Sequence, residues 1–165
     1  MLSTFIVSQI LIAIAFAFDL ASFQFKVRTY TLICFTCAAS LISIHFFLLG
    51  AVTAGAVVAL SAFRFLVSIF TTNRNVLHVF LTAVLLASVA TFDGIEDILI
   101  TIAMLLSTFA AFSVNEKLLR KFMMVGTSLT IVHNILIFTP AGIILEIFFL
   151  GSNLLSYWRF YLRKT

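Results

Sequence analysis

The strongest constraint on this chain is the continuity of its apolar runs. Stretches such as LISIHFFLLGAVTAGAVVALSAF (41 to 63) follow one another with only short polar connections. They are rich in Leu, Ile, Ala and Phe and do not alternate polar with apolar, which disfavours a transmembrane β-barrel and points to helices. A share of 63% hydrophobic and only 10% charged residues, with a mean hydropathy of +1.24, lies far outside the balance of a soluble domain. A hydrocarbon core about 30 Å thick takes roughly 20 helical residues per crossing. The 165 residues therefore have room for seven tightly connected crossings, and the expected fold is an all-α polytopic membrane protein with a single transmembrane domain, 1–165.

Charges and turn residues divide the chain into segments at 3–19, 29–49, 53–72, 76–92, 96–114, 120–138 and 141–161. The first has no Lys or Arg before it and no small-residue cleavage site, so it reads as a span rather than a removable signal peptide. Alternating sides then places Lys26, Arg28, Arg74, Lys117, Arg120, Lys121, Arg159, Arg163 and Lys164 on one face, and the acids Asp93, Glu96 and Asp97 on the other. Nine of the ten basic residues share one face, as the positive-inside rule requires of a correct count. The expected topology is N-terminus outside and C-terminus cytoplasmic. The net charge of +4 is thus topological; it also favours anionic membrane lipids, while no basic run with interleaved aromatics suggests nucleic acid.

The chain repeats itself. SLISIHFFLLGAVTAG (40–55) and SLTIVHNILIFTPAG (128–142) superpose His45 on His133, Ser40 on Ser128, Leu41 on Leu129 and Leu48 on Leu136, and a one-residue gap brings Ala54-Gly55 onto Ala141-Gly142. A further adjustment pairs Ala21 to Phe23 with Ala110 to Phe112. Two three-helix repeats are expected, 1–73 and 94–165, joined by a linker helix at 74–93. Three is an odd number, so the intervening helix restores the starting side and the two copies run parallel. Parallel repeats are one of the two kinds from which carriers are built.

Ionisable groups inside spans are costly and tend to face a bundle interior or cavity. Here they are His45, Arg64, His133 and Glu146, accompanied by Asn134, Asn153 and Gln9. Arg64 lies some eleven residues into its segment, roughly 16 Å deep at about 1.5 Å per residue, near the midplane. It reads either as a cation facing a cavity or as a structural residue bonded to helix carbonyls or to Glu146. His133 precedes Pro140 by seven residues and Glu146 follows it by six, which sets the two at similar depth; a shared proton or a plain interhelical hydrogen bond would both use that placement. Ala59 occupies the place of Glu146 in the first copy, and Gly151 that of Arg64 in the second. Asn153 is two helical turns from Glu146 on the same face, with Tyr157 and Arg159 beyond. Trp158 and Tyr161 beside Arg159 and Arg163 read as an interfacial anchor. Cys34 and Cys37 form a C-x-x-C inside a span, where hydrocarbon disfavours the thiolate that redox or metal chemistry needs.

No catalytic constellation, metal-ligand spacing or phosphate-binding loop is present in the sequence, so no enzyme activity, metal or cofactor is expected. The stretches 44–70 and 132–164 resemble the YgjV family of bacterial inner-membrane proteins, through His45 and Leu49-Gly50, Arg64, His133-Asn134, and the series Glu146, Asn153 and Arg159. Ser61 departs from that pattern, where an amide residue would fit. The resemblance implies a bacterial inner membrane and supplies no substrate; the three-plus-one-plus-three layout looks like that of the SWEET and PQ-loop carriers, without a PQ dipeptide. The expected function is a small-solute transporter with a polar site between the repeats, in which Arg64, His133, Glu146 and Asn153 bind solute or couple protons, with His45 and Asn134 beside them. The alternative is a non-transporting module that binds a lipid or protein partner. The small residues of GAVTAG also permit a homodimer.

Overall fold

The structure is a computed structural model and describes residues 2–92 and 94–163; Asp93 and Lys164, which entered the charge pattern, lie outside the described residues. Among the described residues there are seven α-helices and no strand: α1 (Leu2–Ser22), α2 (Arg28–Leu48), α3 (Val52–Phe70), α4 (Arg74–Ala90), α5 (Asp97–Phe112), α6 (Glu116–Leu136) and α7 (Pro140–Tyr157). A π-helical turn, Trp158–Leu162, extends α7. Thr4–Ser22 and Arg28–Leu48 are long and apolar enough to cross a membrane, while Ala54–Phe70, Arg74–Ala90 and Asp97–Phe112 are apolar but shorter. The helices come in the expected order, and the largest displacements have local causes. α6 starts at Glu116 rather than near 120 because Asn115 caps it, its Oδ1 accepting from the Lys117 amide at 2.9 Å. Glu116 then faces the positive end of the helix dipole. At the other limit the α-helix stops at Tyr157, where the π turn takes over.

The chain divides into two compact units, Met1–Phe70 and Thr71–Thr165. In the first, α2 packs against both α1 and α3. α1 meets its neighbour through Ser8, Ala15 and Ser22, all fully buried and spaced two turns apart, while Phe5, Ile6, Ile10 and Ile14 are exposed. Small residues let helix backbones approach closely, and large apolar ones are left for lipid. Phe35 stacks between Phe23 and Phe65, with ring centroids 5.4 and 5.2 Å away. Arg28 Nη2 donates to the Ser68 carbonyl at 2.7 Å, tying the start of α2 to the end of α3.

In the second unit α4 packs on α5, α5 on α6 and α6 on α7. Phe80 of α4 and Phe112 of α5 stack at 5.7 Å. At the crossing of α5 and α6 a Cβ on Gly126 would stand 3.3 Å from the Ala103 carbonyl oxygen, a tight fit that glycine relieves.

The connections after α2 and after α6 take the same path. Leu49 and Ile137 have φ −85 and −88, ψ 0 and 7, and each donates its amide to the carbonyl of the histidine one turn earlier, His45 or His133. The next residue is left-handed in both, Gly50 at φ +78 and Phe138 at φ +58. Glycine has no Cβ to clash there, whereas Phe138, 89% exposed, carries the steric cost. Gly50→Ala, in a place with nothing within 4 Å of the added carbon, should lower stability by about 1 kcal/mol through backbone strain alone. Phe138→Gly should not lower it. Thermal unfolding of both variants in detergent micelles measures the contrast.

Candidate polar site

In the first unit His45 is buried and its Nδ1 sits 2.8 Å from the Ser8 carbonyl of α1. A carbonyl only accepts, so Nδ1 carries the proton and donates. Ser43, two residues earlier, donates to the Gly55 carbonyl at 2.8 Å, so one stretch of α2 is bonded to both neighbouring helices. Arg64 on α3 is 4% exposed, with its guanidinium 4.7 Å from the Phe65 ring centroid.

In the second unit the histidine repeats that behaviour. His133 Nδ1 donates to the Glu96 carbonyl at 3.0 Å, and both histidines reach a carbonyl 37 residues upstream. The expected level placement of His133 and Glu146 does not become a contact. His133 is engaged toward α5, while Glu146, half-buried on α7, makes no hydrogen bond or ion pair among the described residues. Asn134 lines the α6 to α7 hairpin, its Nδ2 only 2.8 Å from where a Cβ on Gly142 would stand.

Asn153 is the sequence-selected residue around which most is assembled. It is 1% exposed and its Nδ2 donates to the Arg120 carbonyl of α6 at 3.0 Å. Arg120 is fully buried, its Nε bonded to both carboxylate oxygens of Glu116 at 2.8 Å each. Tyr161, on the π turn, donates its hydroxyl to Glu116 Oε2 at 2.9 Å. Lys117 lies over the rings of Tyr157 and Tyr161, at 6.0 and 5.5 Å. Arg120 also sits 5.2 Å from the Phe160 centroid. Ser156, one turn beyond Asn153, is likewise buried. Asn153 Oδ1 and Ser156 Oγ have no hydrogen-bond partner among the described residues.

Sequence reasoning took Arg120 as a topological charge and Tyr161 as an interfacial anchor, and passed over Glu116 and Ser156. Two signals were present. Glu116 and Arg120 are four residues apart, the spacing of a helical ion pair, and Ser156 is on the same helix face as Asn153. The reach of Tyr161 back to Glu116 depends on the π turn, which no spacing rule announces. Of the other sequence-selected residues in this unit, His133 is bonded to the Glu96 carbonyl and Asn134 lies at the α6 to α7 hairpin. Among the described residues no group of three or more His, Cys, Asp or Glu is placed to hold a metal, and Cys34 and Cys37 are free thiols.

A family model described as Imp-YgjV, bacterial inner membrane protein, matches residues 6–164. The inner membrane protein YgjV of Escherichia coli strain K12 is 31% identical over 123 residues, covering 73% of this chain and 67% of that protein. No solved structure matches the chain.

The buried ion pair yields a direct expectation. Glu116→Ala leaves the Arg120 charge buried without its partner and should cost about 3–5 kcal/mol, whereas the paired replacement Glu116→Leu with Arg120→Met should cost far less. Chemical unfolding of the three proteins in mixed micelles gives the comparison; equal losses would mean that the two charges do not depend on each other.

Proposed function

Because the chain belongs to the YgjV family of bacterial inner-membrane proteins, we propose that it is a small-solute transporter of that membrane, built from two copies of one three-helix unit with α4 between them. The observation that carries the reading is the twin hydrogen bond of His45 and His133, each from the middle helix of a proposed copy to a carbonyl 37 residues upstream. The shared path of the connections at Gly50 and Phe138 supports it. So do helix lengths: α2 and α6 are each 21 residues long. Transporters are commonly built from such internal repeats, and their sites use polar groups that would be too costly at a lipid-facing position. Arg64 and Asn153, both nearly inaccessible, are of that kind, and half-buried Glu146 is the proposed proton-coupling group.

The topology proposed with it puts the connections at Gly50 and Phe138 outside and the basic ends of α2, α4, α6 and α7 in the cytoplasm, on the strength of the segregation of Lys and Arg. In a background lacking Cys34 and Cys37, Phe138→Cys should react with a membrane-impermeant maleimide on intact spheroplasts. Lys121→Cys should react only after the membrane is opened. The reverse pattern would invert the orientation.

Transport itself is tested in inside-out and right-side-out vesicles, after a thermal-shift screen against metabolite pools selects a solute. Arg64→Ala and Glu146→Gln should each reduce uptake at least tenfold while accumulation and thermal stability stay close to the parent. Glu146→Gln should also remove the response of uptake to an imposed pH gradient. Loss of folding in both variants would assign the two residues to helix packing, as in a module that binds a lipid or a protein without moving solute.

A further inference from the structure

Hydroxyl groups inside the helices of this chain ordinarily bond to their own backbone one turn back. Ser8, Ser22, Ser68 and Thr108 do so at 2.6 to 2.7 Å. Ser156 does not, although it is 1% exposed. Its neighbour one turn away, Asn153, has Nδ2 engaged by the Arg120 carbonyl, which fixes the amide's orientation and leaves Oδ1 as a buried acceptor without a donor. A buried polar atom left unpaired costs about 1–3 kcal/mol, and such atoms are few in native proteins. Two of them stand on one helix face, some 4.5 Å apart along the axis at about 1.5 Å per residue, with hydrogen-bonding capacity that the described residues do not use.

The surrounding charges decide what kind of guest. Arg120 and Glu116 compensate each other through two bonds of 2.8 Å, and the Tyr161 hydroxyl adds a third bond to the carboxylate. An ionic guest would give up its hydration with no opposite charge assigned to it. Asn153 Oδ1 can only accept, and Ser156 Oγ can accept or donate. The complementary group is therefore an uncharged donor.

We propose that Asn153 and Ser156 form a recognition site for a small neutral solute carrying hydroxyl or amide N–H groups. The inference rests on the transporter reading in giving the solute its chemical class, and the site itself is testable without transport. Water offers the same donors, and the choice of probe separates the two sources. The probe is erythritol, a neutral polyol; the reference is glycine betaine at equal osmolality, which is excluded from protein surfaces but has no donor hydrogen.

The purified full chain in detergent micelles is heated with each compound. Erythritol should raise the unfolding midpoint of the parent more than betaine does. That excess should vanish in Ser156→Ala, which removes one oxygen and little else, and in Asn153→Leu. Equal shifts from the two compounds would mean that water alone fills the place, and would overturn the proposal. An excess that persists in Ser156→Ala would overturn it as well, by locating erythritol elsewhere. Erythritol entry into proteoliposomes, followed by light scattering, keeps the two readings apart. An excess that depends on Ser156 but comes without entry supports the site and removes the transporter; uptake of sodium glutamate or choline with no erythritol excess retains a transporter and removes this site.

Discussion

A polar atom between apolar helices has no water to turn to, so its partner must come from the chain itself. That requirement organises each unit of this protein. The middle helix of each proposed copy sends a histidine to a backbone carbonyl, of Ser8 within α1 in one and of Glu96 at the cap of α5 in the other. In the first unit Ser43 also sends a hydroxyl to the Gly55 carbonyl of the helix after it. Each such bond is worth about 1 kcal/mol or less within a membrane, too little to drive folding. Its direction is what matters: a helix slipped by one residue would lose it and leave a buried donor unpaired. The apolar contacts around it, such as Phe23, Phe35 and Phe65, supply area but tolerate sliding. Register is therefore set by a few polar bonds and density by the small residues beside them.

The cluster at the start of α6 and the end of α7 obeys the same requirement at higher cost. Burying Arg120 completely is sustainable because Glu116 is one turn away on the same helix and Tyr161 holds the carboxylate in place. With the charges balanced, the groups that retain hydrogen-bonding capacity are neutral ones, Asn153 Oδ1 and Ser156 Oγ. A site of that make-up discriminates by the loss an ion suffers on entering rather than by attraction of one charge sign. In the proposed site labour would be divided: the ion pair for rigidity, the amide and hydroxyl for recognition. A π turn immediately after Ser156 and Tyr157 fits this division, since it carries Tyr161 to the carboxylate without displacing the end of α7.

The helical architecture could be read from the residues because its cause is local and repetitive. Apolar runs near the length of a membrane crossing, bounded by Lys, Arg, Gly and Pro140, set helix number and order before any packing is considered. The proposed duplication starts from the phrase shared around His45 and His133, and the alignment gave no indication of what either ring would bond to. Expectation went to Glu146 for His133, because both lie on one hairpin at similar depth. The imidazole instead faces α5 and the Glu96 backbone. Depth along a helix follows from counting residues; the direction in which a side chain leaves it depends on which neighbour packs against that face.

By itself, then, the sequence determined a membrane-bound, all-helical chain with Arg64 and Asn153 stranded in apolar surroundings. Those conclusions depend on composition and spacing, which the unfolded chain already possesses. Only the tertiary structure decided that Asn153 is held by the Arg120 backbone, that Arg120 is neutralised by Glu116, whose carboxylate also accepts from Tyr161, and that Ser156 is buried beside an amide with an unused oxygen. Those facts depend on which faces of α6 and α7 meet and on one widened turn at Trp158–Leu162. Hydrogen bonds a few ångströms long are sensitive to rotations that leave the hydrophobic pattern unchanged, and so they are settled only when the helices pack.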